Sequence, residues 1–269
     1  MMDMKNKYGS WCLVAGAGEG LGEAFAFAMA ERGIDIILVD QKKDRLESIA
    51  NRLGSTFGIR TKMIHLDLAS EESVRILMKT IIETSCRLIV YNAAFSVVQK
   101  FMDNDPADLD RYVRVNMQTP LQLIHFFCDF HSGKHGEKKG IILMSSLAGS
   151  WGTQLLAPYG ATKAFNHILA ESLYHELKAD GFEVMACIAG ATNTPGYMAS
   201  NPRGGKISIP LMRPEKVVEA SLHSLGNRPF VIPGFRNRLV YFFLSRVLPR
   251  RTSLRIMNRS VGQVYRDRL

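Results

Sequence analysis

Residues 11–22, WCLVAGAGEGLG, join a short apolar run to a cluster of glycines. The run over residues 11–15 is typical of a buried strand, and a helical period follows the glycines. Glycines between a strand and a helix let the backbone approach a pyrophosphate, which binds amide N–H groups at the helix N-terminus. Gly16, Gly20 and Gly22 give G-x-x-x-G-x-G, which is neither G-x-G-x-x-G nor a P-loop. This stretch alone leaves a nucleotide-binding loop and a glycine-rich turn without a ligand equally open.

A carboxylate follows about 20 residues later, where Asp40 ends the apolar run over residues 35–39. From this position a carboxylate reaches the ribose hydroxyls of an adenosine. Its charge favours NAD over NADP, because the 2′-phosphate of NADP would meet a like charge. Lys42 and Lys43 are the nearest bases and weaken that preference. Asp40 could equally cap the helix that follows.

Short apolar runs and helix-period segments alternate along most of the chain, which is typical of a parallel sheet with helices on both faces. The sequence therefore predicts an α/β fold, a Rossmann-type doubly wound parallel sheet of about seven strands. No Pro- or Ser-rich linker interrupts this pattern, so we expect one domain over residues 1–235 and a helical carboxy-terminal extension over residues 236–269. The predicted strands are residues 11–15, 35–39, 61–66, 87–91, 140–144, 182–188 and 229–232, and the predicted helices are 21–32, 43–53, 71–84, 107–130, 158–179 and 214–225.

Composition predicts a folded cytoplasmic protein. With 46% hydrophobic and 22% charged residues among 269, the chain can bury a full core. Its four cysteines are far apart and lack metal-ligand spacing, which indicates a reducing compartment and no metal site. The amino terminus has no apolar leader, and the longest apolar run, residues 239–244, is far below the roughly 18 residues of a membrane span.

A second constellation lies in the sequence YGATK, where Tyr159 and Lys163 stand four residues apart in a helix that Pro158 begins. That spacing places both side chains on one helical face. A phenol titrates near ~10 in water, so a neighbouring cation is needed for proton exchange near neutrality. Ser146 follows a strand-like run, where a hydroxyl can donate to a substrate carbonyl oxygen. An isolated YxxxK is more often a surface pair.

Together and in this order, these motifs resemble those of the short-chain dehydrogenase/reductase family, from the first strand to about Pro233. AGAGEGLG resembles the family's TGxxxGxG, with Ala15 in place of Thr. Further matches are Asp67 in HLDL for the adenine-contacting acid, YNAA at residues 91–94 for NNAG, Asn116 in RVNMQTP for the catalytic Asn, and AGATNT at residues 189–194 for PGxxxT.

The resemblance implies interconversion of a secondary alcohol and a ketone with NAD(H). It assigns four catalytic residues. Tyr159 is the general acid/base, Lys163 lowers the pKa of that phenol and bonds the nicotinamide ribose, and Ser146 holds the substrate oxygen. Asn116 orients a water that relays protons through Lys163.

The implied cofactor cleft runs along the carboxyl ends of the strands. In the family, a Thr hydroxyl at the position of Ala15 ties the glycine loop to the NNAG turn. Ala15 lacks that hydroxyl, and Tyr91 and Ala94 change the turn itself. We therefore expect loop rigidity and cofactor affinity to differ from those typical of the family. The implied cofactor-binding residues are Gly16, Gly18, Glu19, Gly20, Leu21, Gly22, Asp40, Asp67, Leu68, Asn92, Ala93, Tyr159, Lys163, Gly190, Thr192 and Thr194.

Residues 195–213, PGYMASNPRGGKISIPLMR, suit a loop that closes over substrate. Their apolar members suggest an apolar hydroxy or keto substrate, and ordinary loop packing explains them equally well. The family also implies a homodimer or homotetramer formed through the helices that carry Asn116 and Tyr159. The apolar positions are Tyr197, Met198, Ile207, Ile209, Leu211 and Met212, with Leu147, Trp151 and Leu155.

The net charge of +9 is concentrated at the carboxyl end. Residues 236–269 hold nine Arg and one acid, a net charge of +8. No nucleic-acid-binding signature accompanies this charge, so no nucleic-acid partner is expected. Apolar residues flanked by Arg over residues 236–251 suit peripheral contact with a membrane surface. The segment could instead cover a subunit interface or cap the substrate pocket.

Two other functions compete with the NAD(H)-dependent oxidoreductase. An NADP(H)-dependent reductase of the same family would differ at the adenosine ribose. A non-catalytic NAD-binding scaffold would have no physical need for the four catalytic residues together.

Overall fold

The computed structural model describes residues 3–134, 136–200, 202 and 211–268. One seven-stranded sheet, parallel throughout, forms within these residues. Its strands are β1 (Trp11–Ala15), β2 (Asp35–Asp40), β3 (Thr61–His65), β4 (Leu88–Tyr91), β5 (Lys139–Ser146), β6 (Phe182–Ala189) and β7 (Phe230–Val231). They lie in the order β3-β2-β1-β4-β5-β6-β7, so the predicted doubly wound Rossmann-type sheet is confirmed.

The helices cover both faces of the sheet because the central strands are apolar on both sides. One buried cluster packs α2, α3 and α9 on one face, and a second packs α4, α6 and α7 on the other. The helices are α1 (Met4–Tyr8), α2 (Gly20–Glu31), α3 (Lys43–Phe57), α4 (Ser73–Thr84), α5 (Pro106–Val113), α6 (Thr119–Phe130), α7 (Ala157–Glu176), α8 (Pro195–Ala199), α9 (Pro214–Ser224), α10 (Phe235–Phe242) and α11 (Arg250–Val264).

The strand order reverses between β1 and β4, which opens a crevice at the carboxyl ends of these strands. Ala15 pairs with Val39 on one side and with Tyr91 on the other. The residues that follow each strand therefore emerge at the same level of the sheet. This register brings the glycine loop, Asp40 and Asn92 to one edge.

A π-helical turn, Arg114–Gln118, divides the predicted helix over residues 107–130. Pro120 lacks the amide hydrogen that would bond the Asn116 carbonyl in an α-helix. That carbonyl accepts from Asn166 Nδ2 at 3.1 Å instead. The amide of Thr119 bonds to the Arg114 carbonyl, which leaves the Val115 carbonyl free to accept from the Tyr91 hydroxyl at 2.6 Å.

The extension is helical, as expected, and its two helices pack on the rest of the chain. A second π-helical turn, Phe243–Val247, joins α10 to α11. Tyr241 contacts Trp151 with ring centroids 5.6 Å apart, and Tyr265 packs with Val98 and Leu155. Within the described ranges, no helix combines the length and apolarity needed to cross a membrane.

Candidate active site

The glycine loop follows β1 and is shaped by close backbone contacts. Gly16 has φ +75°, and a Cβ there would lie 2.7 Å from the backbone nitrogen of Ala93. A Cβ on Gly22 would lie 1.8 Å from the Gly16 carbonyl oxygen. Glycine is required at both positions because the loop lies against the turn after β4 and against the first turn of α2.

The loop is tied to the turn after β4 without a hydroxyl at Ala15. Asn92 Nδ2 donates to the Gly16 carbonyl oxygen at 2.9 Å. The amides of Asn92 and Ala93 both donate to the Ala15 carbonyl, at 3.0 and 2.8 Å. The departures from the family pattern therefore leave the two loops joined through backbone and amide contacts.

A cavity of about 340 Å³ extends along this edge of the sheet, from Asp40 to Tyr159. Its glycine-lined floor and carboxylates at one end fit an extended nicotinamide dinucleotide. The predicted residues that line it are Gly16, Glu19, Gly20, Leu21, Asp40, Asp67, Leu68, Asn92, Ala93, Tyr159 and Thr194. Gly18, Gly22, Asn116, Ser146, Lys163, Gly190 and Thr192 are not among its lining residues.

Within the cleft, the Asp40 carboxylate accepts hydrogen bonds from the amides of Gly18 at 2.8 Å and Lys42 at 3.0 Å. The Lys42 ammonium pairs with Glu19 at 2.6 Å. Asp40 thus holds the glycine loop and also projects a carboxylate into the cleft.

Arg111 on α5 is a lining residue that the sequence did not reveal. Its guanidinium donates to both carboxylate oxygens of Asp67 and to Gln41 Oε1, each at 3.0 Å. Arg111 is 44 residues from Asp67 and belongs to no motif. Only the fold brings it into the cleft beside Asp67.

Thr194, another residue that lines the cleft, lies against the glycine loop. A Cβ on Gly20 would lie 3.0 Å from the Thr194 Cβ. Thr194 also caps α8, accepting from the Tyr197 amide at 3.2 Å. Gly190 is instead packed against the extension, because a Cβ there would lie 2.5 Å from Asn237 Nδ2.

Tyr159 and Lys163 share one face of α7, as predicted. The Lys163 nitrogen lies 5.7 Å from the Tyr159 ring centroid and donates to the Met144 carbonyl at 2.8 Å. Ser146, at the end of β5, lies beside Tyr159, and its side chain lowers the pKa of the phenol. The described fold therefore brings the three polar side chains together.

The expected lowering of the phenol pKa does not occur in this structure. Desolvation raises the pKa of Tyr159 to about 12, and the Ser146 side chain opposes the rise. Burial also lowers the pKa of Lys163 to about 8. The sequence-based expectation considered only the charge of Lys163, whereas desolvation has the larger effect on both groups.

Asn116 is fully buried, and its side chain holds the loop after β4 against α7. Its Oδ1 accepts from the Phe95 amide at 2.7 Å, and its Nδ2 donates to the Phe95 carbonyl at 2.9 Å and to Thr162 Oγ1 at 3.0 Å. The Asn116 side chain thus positions the loop at Phe95 against α7. The Asn116 backbone carbonyl accepts from Asn166 Nδ2.

Two further tyrosines, Tyr112 and Tyr265, raise the pKa of Tyr159 electrostatically. The Tyr265 hydroxyl lies 2.9 Å from Ser200 Oγ. No sequence signal joins Tyr265 to the site, because it is near the end of the basic extension.

The predicted substrate loop is only partly described. Residues 201 and 203–210 lie outside the described residues, and Ile207 and Ile209 are among them. Trp151 and Leu155, which were predicted to face the substrate, are buried beneath the extension.

Comparison with known proteins identifies the class as oxidoreductases that act on CH–OH groups with a nicotinamide cofactor. A family model described as short chain dehydrogenase matches residues 10–204. The chain belongs to the short-chain dehydrogenase family, which confirms the resemblance inferred from its motifs.

Two curated relatives and one solved structure extend this result. A 7β-hydroxysteroid dehydrogenase from Clostridium sardiniense is 30% identical over 237 residues, 88% of this chain and 90% of the relative. A very-long-chain 3-oxoacyl-CoA reductase from Anas platyrhynchos is 29% identical over 227 residues, 81% of this chain and 69% of the relative. A solved 7β-hydroxysteroid dehydrogenase structure superposes with a TM-score of 0.86 at 26% identity, covering 95% of this chain and 99% of the other.

Proposed function

We propose that the protein interconverts a secondary alcohol and a ketone on a bulky, lipophilic substrate with NAD(H). The observation that carries this proposal is that Tyr159 lines the cleft and that Ser146, at the end of β5, lies behind it and acts on its phenol. The similarity to a hydroxysteroid dehydrogenase and to a 3-oxoacyl-CoA reductase supports a large apolar substrate.

The cofactor supplies the hydride acceptor or donor, and the chain supplies alignment and proton transfer. Ser146 donates a hydrogen bond to the substrate oxygen. In reduction, Tyr159 donates its proton to that oxygen, which a pKa of about 12 permits because the phenol is protonated at neutral pH. In oxidation, the phenol first gives up its own proton to solvent, and the phenolate then accepts the proton of the substrate hydroxyl. Lys163, with a pKa of about 8, exchanges protons near neutrality and orients the ribose.

We assign cofactor binding to the residues that line the cleft and to five predicted residues that do not line it, namely Gly18, Gly22, Lys163, Gly190 and Thr192. NAD is preferred over NADP because the Asp40 carboxylate meets the ribose edge, while Glu19 neutralises Lys42 and Asp67 neutralises Arg111. Titration of the protein with NADH and with NADPH tests the preference. Tighter binding of NADPH would reverse it.

The substrate side is assigned to the apolar wall formed where the extension returns to the catalytic domain. Tyr265 packs there on the buried side chains of Val98 and Leu155, and its hydroxyl lies beside Ser200, so the extension and not Leu155 would form the wall. A screen of hydroxysteroids, 3-hydroxyacyl thioesters and small sugars, followed by the absorbance of the reduced cofactor, tests this assignment. Turnover of sugars alone would contradict it.

Removal of the Tyr265 ring gives a sharper test of the same wall. Tyr265→Ala should raise KM for a steroid substrate more than for a small ketone, because only the larger molecule reaches the ring. Tyr174→Ala on α7 is the matched control, since Tyr174 has no role in the proposed wall.

We further propose a homodimer or homotetramer formed through α6 and α7. Leu121 and Ile168 are 45% and 58% exposed on these helices, and burial against a second copy would remove them from water. Light scattering of the wild-type protein and of Ile168→Asp measures this directly. A wild-type monomer would contradict the assembly.

A further inference from the structure

The outer face of α10 and of the π-helical turn after it is apolar and exposed. We define the exposed stripe as Phe235, Leu239, Phe242, Phe243 and Val247, whose exposed fractions run from 45% to 70%. Their spacing repeats about once per helical turn, which places them on one side of the helix.

The inner face of the same segment packs on the rest of the chain. Leu244 is buried, and Tyr241 contacts both Trp151 and Phe230. Ser253 is also buried and donates to the Leu244 carbonyl at 2.6 Å, which fixes α11 against the π-helical turn. The exposed stripe is therefore held outward by a packed scaffold.

Arginines border the exposed stripe. Residues 235–266 contain eight Arg and no Asp or Glu. Arg236, Arg238, Arg246 and Arg251 are all exposed. The surface thus combines apolar side chains with positive charge along one helical segment.

We propose that the exposed stripe and its arginines bind the surface of anionic phospholipid membranes. Aromatic and aliphatic side chains would enter the acyl boundary while guanidinium groups meet lipid phosphates. A symmetric contact between two copies along this face would bring Arg against Arg, which costs electrostatic energy. An anionic lipid surface instead supplies the opposite charge. This inference does not depend on the proposed substrate.

Vesicle flotation with the 269-residue protein tests the proposal. One set of vesicles contains equal parts phosphatidylglycerol and phosphatidylcholine, and the other contains phosphatidylcholine alone. We expect the wild-type protein to float with the anionic vesicles and to remain in solution with the neutral ones. Added salt should weaken the binding, because charge contributes to it.

Two variants separate the contributions of apolar contact and charge. Phe242→Ser with Phe243→Ser removes the centre of the stripe, and Arg246→Glu with Arg251→Glu reverses two charges. Each double variant should lower vesicle affinity by about tenfold or more.

Matched double variants elsewhere control for the same chemical changes. Phe101→Ser with Met102→Ser removes two exposed apolar side chains, and Arg45→Glu with Lys216→Glu reverses two exposed charges. Both should float like the wild type. Thermal unfolding shows whether each variant is folded. This check does not require an activity assay.

Three results would overturn the proposal. The first is equal flotation with neutral and anionic vesicles, or none with either. The second is an equal loss of binding in the stripe variants and in their controls. The third is a change of oligomeric state in the Phe242 and Phe243 double variant with no vesicle binding by the wild type, which would make this face a contact between copies.

Discussion

The ammonium nitrogen of Lys163 lies 5.7 Å from the Tyr159 ring centroid and donates its hydrogen bond to the Met144 carbonyl oxygen. The two residues share a helical face, yet the pKa of each is shifted mainly by its own burial. The pKa of Lys163 falls to about 8 and that of Tyr159 rises to about 12. The proton of the phenol is therefore retained at neutral pH, and Lys163 is the group that titrates there.

The lowered pKa of Lys163 predicts how stability depends on pH. Between about pH 8 and the ordinary lysine pKa of 10.5, the unfolded chain holds a proton that the folded chain has lost, so stability rises with pH. Lys163→Met should lack this rise. Relative to that variant, the wild type should gain roughly 3 kcal/mol across the window. Urea unfolding of both proteins measures the difference, and parallel curves would contradict the prediction.

Gly16→Ala should abolish NADH binding. The substitution places a Cβ 2.7 Å from the Ala93 backbone and imposes a positive φ on alanine. Gly58→Ala is the matched control, because Gly58 has φ +66° with nothing within 4 Å of the added Cβ. Both variants carry backbone strain of about 1–2 kcal/mol. Equal NADH affinity for the two would show that the close approach has no role.

Tyr91→Phe should destabilise the protein by about 1–3 kcal/mol, because it removes the donor to the buried Val115 carbonyl in the π-helical turn. Tyr174→Phe, which removes a hydroxyl from α7, should change stability by less. Urea unfolding at neutral pH compares them. Similar losses in the two variants would disprove the special role of the Tyr91 hydroxyl.

Asp40→Ala should weaken NADH binding by about tenfold, because the carboxylate holds the Gly18 amide and faces the ribose. NADPH should bind more tightly than it does to the wild type, since the like charge is gone. Asp44→Ala on the exposed start of α3 is the control. Fluorescence titration of the wild type and both variants with NADH and with NADPH measures the six affinities.

The periodic parts of the fold could be predicted from the chain, and the site only in part. Alternating runs and the glycine cluster predicted the sheet and its crevice, because their local patterns match their structures. Arg111 and Tyr265 could not be predicted, since tertiary folding alone brings Arg111 to the cleft and Tyr265 against Val98 and Leu155.

The π-helical turn was also missed, because Pro120 alone does not determine how a helix adapts to its missing hydrogen bond. Burial raises the pKa of Tyr159. The direction of this shift could not be predicted, because the spacing of Tyr159 and Lys163 in the sequence gives no information about burial. The resemblance nevertheless supplied the residues from which the mechanism is built.

The most direct test of the central claim compares Tyr159→Phe with the wild type on the best substrate from the screen. NADH affinity should stay within about twofold, since the phenyl ring still lines the cleft, while turnover should fall by about 10²–10⁴-fold because the proton donor is gone. Full turnover by Tyr159→Phe would contradict the assignment of Tyr159 as the acid and base.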